Sequence, residues 1–197
     1  AEHEGIARGA GVDSIALYTA TNMTDMRDAL ILAQGLTTPE ADPEGCSSLL
    51  LPGALTADGN SIAGQTWDLN PPDIEYVVAI NRQPETGPET WSVTCAGCLT
   101  LMGINDCGLS VGTTNIKTYG SQPGIGYLAS LHRMLRARNV PEAAAILTGA
   151  QRAGAHVFWM ADPFELREYE TSPSYIQLRQ AKDAAVCHTN HCIAPGN

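Results

Sequence analysis

Short β-patterned segments separated by turn residues fill the middle of this 197-residue sequence and restrict its fold more than any other feature. A first strand is predicted to begin at Cys46, and a second to end at Asp68, on either side of a turn at residues 58–60. Further strands are predicted at 74–80, 91–104 and 109–116. Consecutive strands joined by short turns pair in an antiparallel manner. We therefore predict an antiparallel sheet in this part of the chain.

Helical patterns lie on both sides of these strands. Apolar residues recur at helical spacing from residue 13 to residue 34, and Gly35 is placed to end that helix. Residues 37–45, with two prolines and three acids, form a predicted exposed loop that leads to Cys46. A helical pair is predicted at 123–139 and 142–153, with Pro141 opening the latter, followed by strands at 156–160, 165–169 and 184–188. This order of elements predicts the α+β class.

Composition excludes several classes of function. The formal net charge is −10 with 11 Lys and Arg residues, whereas nucleic-acid binding requires a basic surface. No apolar run reaches the roughly 18–20 residues of a membrane span. A content of 44% hydrophobic and 16% charged residues predicts one folded domain over residues 1–197. A core of this size needs no disulfides among its six cysteines. We expect reduced thiols and an intracellular location, cytoplasmic or peroxisomal.

The Gly45–Cys46 bond stands where a chain can attack its own backbone. A thiol at the start of a strand can add to the preceding carbonyl, and an N→S acyl shift followed by hydrolysis leaves Cys46 with a free α-amine. Such an amine titrates at roughly 7.7–8.0. A thiol with a base beside it is an activated nucleophile. The alternative is an ordinary small cysteine buried at a strand start.

Four motifs extend this interpretation along the chain. They are Gly5-Ile6-Ala7, Gly64-Gln65-Thr66-Trp67-Asp68, the segment from Gly103 to Asn115, and His188-Thr189-Asn190-His191. In this order they resemble motifs of the N-terminal-nucleophile hydrolases of the penicillin acyltransferase family. The resemblance implies a four-layer α-β-β-α sandwich of two antiparallel sheets flanked by helices. It also implies cleavage into an α fragment, residues 1–45, and a β fragment that begins at Cys46.

The resemblance implies roles for individual residues. Asp68 would orient the α-amine of Cys46, as the third group of a catalytic triad does. Asn115 and Asn190 would serve the oxyanion, whereas Asn105 is expected to shape a turn. For each asparagine the alternative is a local capping role. Family members continue beyond the His-Thr-Asn-His motif to a site arginine, so the resemblance implies either that this chain is trimmed or incomplete or that the missing residues belong elsewhere.

A metal site is a further possibility that the cysteines and histidines raise. Zinc is bound by cysteine and histidine side chains, and candidate ligands of these types are Cys95, Cys98, Cys187, His188 and His191. We predict no metal, because residues three apart in a strand point to opposite faces. Arg8 and Arg82 are available to an anionic substrate, and the sequence singles out neither.

The sequence therefore predicts a self-processing amidohydrolase or acyltransferase. It would cleave at Gly45–Cys46 and then transfer or hydrolyse an acyl group from a small amide or thioester through an acyl-Cys46 intermediate. No cofactor is expected, although acyl-coenzyme A can be a co-substrate, and the two fragments are expected to stay associated. Substrate-binding residues and the oligomeric state stay unassigned. The alternatives are a conjugated-amine hydrolase, a non-catalytic or unprocessed binding protein, and a zinc-stabilised module.

Overall fold

The computed structural model describes residues 1–35, 45–69, 71–118 and 120–193. The helices are α1 (Glu2–Ala10), α2 (Ser14–Thr21), α3 (Met23–Ala33), α4 (Tyr127–Met134) and α5 (Val140–Thr148). The strands are β1 (Cys46–Leu51), β2 (Ile62–Trp67), β3 (Val77–Arg82), β4 (Thr90–Cys95), β5 (Met102–Asn105), β6 (Ser110–Asn115), β7 (His156–Ala161), β8 (Leu166–Thr171), β9 (Ile176–Gln180) and β10 (Val186–His188).

These strands form two antiparallel sheets, which confirms the predicted α+β class. The smaller sheet has the order β10-β1-β2, and the larger follows the chain from β3 to β9. In the hairpin of β1 and β2, Cys46 lies opposite Trp67 and Leu51 opposite Ile62. The first residue of β1 and the last of β2 therefore share one end of the smaller sheet.

Strand β7 carries the two hydrophobic layers on its opposite faces, as alternation in a strand requires. Phe158 and Met160 pack with α4 and α5 in the main core. Trp159 and Ala161 pack against Leu50 of the smaller sheet. The outer face of the smaller sheet is exposed at Ser47, Leu49, Thr66 and Cys187. The described residues thus provide a helix layer and two sheet layers of the predicted sandwich.

Gln65 joins the two sheets by hydrogen bonds. Its Oε1 accepts from the backbone N–H of Thr113 at 2.8 Å and from Nε1 of Trp159 at 2.7 Å. A Cβ at Gly112 would lie 2.3 Å from the same oxygen, so only glycine allows this close approach. The position of β2 over β6 and β7 therefore depends on the Gln65 side chain and on glycine at position 112, which leaves room for it.

Replacing Gln65 with leucine is expected to lower the free energy of unfolding by about 2 kcal/mol, since two buried donors lose their acceptor. Chemical denaturation of the purified protein measures this change. The matched control is Gln177→Leu on the exposed surface of β9, for which we expect little change. Equal stability of the two variants would contradict the bridging role of Gln65.

Several predicted elements differ from the structure. The helix predicted over 13–34 is two helices, because the Asn22 side chain donates to the carbonyl of Tyr18 and competes with the helical backbone. The strand predicted over 91–104 is two strands, β4 and β5, separated by a turn at Gly97, whose φ is 90°. Residues 71–76 form a 3-10 helix before β3, and β9 and α1 were not predicted. The predicted loop before Gly45 lies outside the described residues.

The turn in which Asn105 lies was predicted correctly. Its Oδ1 accepts from the backbone N–H groups of Cys107 and Leu109, and its Nδ2 donates to the carbonyls of Leu135 and Ala137. Asn105 therefore fixes the β5–β6 turn against the end of α4. No helix in the described part of the chain is long and apolar enough to cross a membrane.

Candidate active site

The four predicted catalytic residues lie together at one end of the sheets. Cys46 begins β1, Asp68 follows β2, Asn115 ends β6 and Asn190 follows β10. All four line one cavity of about 60 Å³, together with Gly45. Residues that are up to 144 positions apart in sequence thus meet, since a hydrogen bond joins Cys46 and Asn190.

The carbonyl oxygen and the N–H of the Gly45–Cys46 peptide group both have hydrogen-bond partners. The Gly45 carbonyl accepts from the backbone N–H of Asp68 at 2.8 Å. The N–H of Cys46 donates to Oδ1 of Asn190 at 2.7 Å. A donor on the carbonyl oxygen favours the charge that develops there when a nucleophile attacks. The Asp68 backbone was not among the predicted groups, because a backbone donor leaves no mark in the sequence.

The two site asparagines are linked and are used differently. Nδ2 of Asn190 donates to the backbone carbonyl of Asn115 at 2.7 Å, so both ends of the Asn190 amide have partners. Oδ1 of Asn115 is buried without a hydrogen-bond partner among the described residues. The amide oxygen of Asn115 is therefore without a partner in this part of the structure, whereas the Asn190 side chain is fixed against the Cys46 nitrogen.

Burial raises the pKa of the Cys46 thiol above its ordinary value of 9.0, and the charge of Asp68 adds to this rise. Hydrogen bonds from the Asn115 backbone and the Asn190 side chain act in the opposite direction. The thiol of the uncleaved chain is accordingly protonated at neutral pH. Nucleophilic attack by Cys46 therefore requires a base.

The remaining cavity wall contains residues that the sequence did not reveal as site residues. They are Thr24, Trp67, Leu101, Thr113, Tyr127 and His156. The His156 ring stacks on Tyr127 with a centroid separation of 4.1 Å, and its Nε2 donates to Asp25 at 3.0 Å. Thr24 and Asp25 lie on α3, so the predicted α fragment supplies part of this wall. Only tertiary structure brings α3 to β7, and no sequence spacing indicates it.

Gly45 has little space for a larger residue. A Cβ there would lie 3.0 Å from Oδ2 of Asp68 and 3.2 Å from Oδ1 of Asn190. We expect Gly45→Ala to slow cleavage of the chain roughly 10-fold or more, because small displacements of reacting groups are costly. Gel electrophoresis over time measures the rate. The control is Gly64→Ala in the same hairpin, where a Cβ meets nothing within 4 Å. Equal rates for the two variants would refute this tight fit.

A buried polar network holds the segment that carries Asn190. Nε2 of His188 donates to the carbonyl of His191 at 2.9 Å. Its Nδ1 lies 3.0 Å from Oε1 of Glu168 and from Nη2 of Arg179. Glu168 and His188 are almost fully buried. His188 therefore acts on the site through Asn190 and, in this structure, does not line the Cys46 cavity.

Glu168→Gln is expected to lower the free energy of unfolding by about 3 kcal/mol, since it removes the buried carboxylate that pairs with the Arg179 guanidinium. It should also slow cleavage, because Asn190 loses its support. Denaturation and cleavage rates are measured on the same samples. Glu165→Gln is the control, because its ion pair with Arg167 is partly exposed and worth about 0–1 kcal/mol. A Glu168→Gln protein as stable as this control would contradict the role of the network.

The structure corrects the argument made for the cysteine pair. Cys95 ends β4, but Cys98 lies in the following turn, where its N–H donates to the Cys95 carbonyl at 3.0 Å. The two are therefore not in one strand. Across the described ranges, no group of three or more His, Cys, Asp or Glu side chains is arranged to hold a metal ion. All six cysteines are free.

Comparison with solved structures relates the fold to known proteins. An arginine-to-leucine variant of conjugated bile acid hydrolase from Clostridium perfringens matches with a TM-score of 0.52 and 16% identity, over 76% of this chain and 54% of that chain. Penicillin V acylase from Agrobacterium tumefaciens matches with a TM-score of 0.41 and 12% identity, over 73% and 44%. The chain thus spans about half the length of these structures. A comparison with curated proteins gave no match.

Comparison with protein families covers most of the chain. The model for acyl-coenzyme A:6-aminopenicillanic acid acyl-transferase matches residues 55–196. This range includes Asp68, Asn115 and Asn190 but begins after Cys46, so the placement of Cys46 rests on the geometry above. The two antiparallel sheets have the architecture of the N-terminal-nucleophile hydrolase fold. The chain belongs to the acyl-coenzyme A:6-aminopenicillanic acid acyl-transferase family.

Proposed function

We propose that this protein cleaves its own Gly45–Cys46 bond and then acts as an N-terminal-cysteine amidohydrolase or acyltransferase. One observation carries the proposal: the carbonyl oxygen and the N–H of that peptide group are both hydrogen-bonded by residues of the same cavity. The first contact continues the pairing of β1 with β2, whereas the second comes from a side chain that follows β10. Together they place a donor on the carbonyl oxygen of this bond and fix its nitrogen.

Cleavage proceeds through a thioester. The Cys46 sulfur forms a bond to the Gly45 carbonyl carbon while the backbone N–H of Asp68 stabilises the oxyanion. The carbon–nitrogen bond then breaks, and the nitrogen takes the proton that the thiol gave up, so that it becomes the α-amine of Cys46. Water hydrolyses the thioester, which releases a carboxylate at Gly45 and restores the thiol.

Turnover uses the amine that cleavage creates. The Cys46 α-amine, held by Oδ1 of Asn190 and oriented by Asp68, takes the thiol proton. The sulfur then attacks the substrate carbonyl, and the amide of Asn115, with a backbone N–H, stabilises the oxyanion. The leaving amine or thiol departs with a proton, and water or a second amine takes the acyl group from sulfur.

The cavity and the family description support a small acyl substrate. A space of about 60 Å³ holds a group of only a few heavy atoms, so the rest of the substrate lies outside it. The family description contains an acyl-coenzyme A thioester and an acyl-transferase activity. We therefore propose acyl transfer between a thioester and an amine, with amide hydrolysis as the sister activity. Acyl-coenzyme A would be a co-substrate, and no resident cofactor is proposed.

The contacts of residues 1–35 support lasting association of the two fragments. Asp25 accepts from His156, and Asp28 accepts from the backbone N–H of Thr118 at 2.9 Å. Thr24 completes the cavity wall. The free thiols favour a reducing, intracellular compartment as the location.

Trapping the acyl-enzyme tests this proposal. The purified protein is mixed with a short-chain acyl thioester, quenched in acid, digested and analysed by mass spectrometry. We expect the acyl mass on the peptide that begins with Cys46. The control is Cys107→Ala, which removes an exposed thiol and should leave the adduct unchanged. An adduct on Cys107 alone, or none with any amide or thioester tested, would refute the proposal.

A further inference from the structure

A second cavity, of about 260 Å³, is lined by α1, the end of β3 and the end of α4. It shares no lining residue with the Cys46 cavity. Its walls include Arg82, His132 and Arg136, together with Glu2 and Thr90. In a protein of net charge −10, three groups that can carry positive charge thus meet around one space.

A carboxylate of the same chain occupies one side of this cavity. Oε1 of Glu2 lies 2.7 Å from Nε of Arg82, and Oε2 lies 3.1 Å from Nε2 of His132. The two oxygens are therefore divided between two donors on different elements. A small oxyanion bound between an arginine and a second donor has the same arrangement, with one oxygen on each donor.

The positive groups are not balanced by Glu2. Arg82 has five N–H donors, of which three have partners among the described residues. Arg136 is exposed on the cavity wall, and its guanidinium makes no hydrogen bond with a described residue. If the Glu2 carboxylate served only to dock α1 on the sheet, a single cationic side chain would be enough to pair with it. The cavity therefore holds more hydrogen-bond donors than the Glu2 carboxylate uses.

The donors are fixed in place before any ligand arrives. Nη1 of Arg82 donates to Oγ of Ser92 at 2.6 Å, and Nη2 donates to the carbonyl of Leu99 at 3.3 Å. Nδ1 of His132 lies 3.0 Å from Oγ1 of Thr100, which leaves Nε2 directed at Glu2. Preorganised donors lose little conformational freedom on binding, so affinity is gained.

From these contacts we infer that the cavity is a binding site for a ligand bearing a small oxyanion, a carboxylate or a phosphate. The ligand takes the place of the Glu2 carboxylate on Arg82 and His132 and also engages Arg136. Glu2 is thus an internal competitor of that ligand. The inference does not depend on chemistry at Cys46.

Calorimetric titration with inorganic phosphate and, separately, with acetate tests the site on the full chain. We expect Glu2→Gln to bind the anion about 10-fold more tightly than the unmodified protein, because the competing charge is gone. Arg136→Gln should bind about 10-fold more weakly. The controls are Glu4→Gln on α1 and Arg138→Gln, neither of which lines the cavity. Preference for phosphate or for acetate identifies the oxyanion.

The His132 resonance gives a second measurement. Burial lowers the pKa of His132, Arg82 and Arg136 lower it further, and Glu2 raises it. A bound anion should therefore raise the pKa of His132 in Glu2→Gln, as seen by NMR titration with and without phosphate.

The inference fails if neither phosphate nor acetate binds saturably to Glu2→Gln. It also fails if Arg136→Gln and Arg138→Gln bind the anion equally. Since Arg136 is exposed, this second comparison stands even if Glu2→Gln does not fold. Neither readout uses catalytic activity, so loss of the proposed function would leave the result interpretable.

Discussion

The Cys46→Ala protein is expected to remain one uncleaved chain and to turn over no amide or thioester. Without sulfur, nothing adds to the Gly45 carbonyl, and without cleavage no α-amine is available as a base. Removing the nucleophile of a comparable catalytic unit lowers rates by roughly 10⁴-fold or more. The fold should persist, because Cys46 is only partly buried at the start of β1.

Intact mass and a turnover assay on the same preparation measure both losses. Cys107→Ala is the matched control and should behave as the unmodified protein, since its thiol is exposed and does not line the cavity. A Cys46→Ala protein that is still cleaved at residue 45, or still active, would overturn the mechanism.

Asp68→Asn is expected to slow both cleavage and turnover by roughly 10²–10⁴-fold without unfolding the protein. The backbone N–H that holds the Gly45 carbonyl is unaffected by this change, so the loss reports the carboxylate alone. The Asp68 charge raises the pKa of the Cys46 thiol, so its removal would favour the thiolate. If thiol ionisation alone limited the rate, the variant would instead be faster.

Asp58→Asn provides the control for this variant. Asp58 lies in the turn of the same hairpin, where its carboxylate accepts hydrogen bonds from the backbone N–H and the side chain of Asn60. In cleavage time courses and steady-state kinetics, Asp68→Asn should be slower than Asp58→Asn by roughly 10²–10⁴-fold. Unchanged kinetics in Asp68→Asn would remove the carboxylate from the site.

The hairpin and its functional end were predictable because local sequence determines them. A turn near residues 58–60 fixes the register of β1 and β2, and this register alone returns Asp68 to Gly45 and Cys46. The strands of the larger sheet were also predictable where Val, Ile and Thr alternate. The edge strand β9 was missed, although its sequence, Ile-Gln-Leu-Arg-Gln, alternates apolar and polar residues as a strand does.

The rest of the site depends on contacts that no local pattern encodes. The pairing of Asp25 with His156 joins α3 to β7 across 131 positions in sequence. Strands β10 and β2 flank β1 in the smaller sheet. This arrangement brings the Asn190 amide to the Cys46 N–H and the Asn115 carbonyl, and the Asp68 N–H to the Gly45 carbonyl. Predicting that Asn190 belongs to the site required the family motif, whereas its partners required the fold.

Denaturing mass spectrometry with N-terminal sequencing of the purified protein shows whether the chain cleaves itself between Gly45 and Cys46. We expect two fragments from one preparation, the second beginning Cys46-Ser47-Ser48. The same sample under native conditions should keep both fragments in one particle. A single uncleaved chain after prolonged incubation, or cleavage at any other bond, would contradict the proposed cleavage.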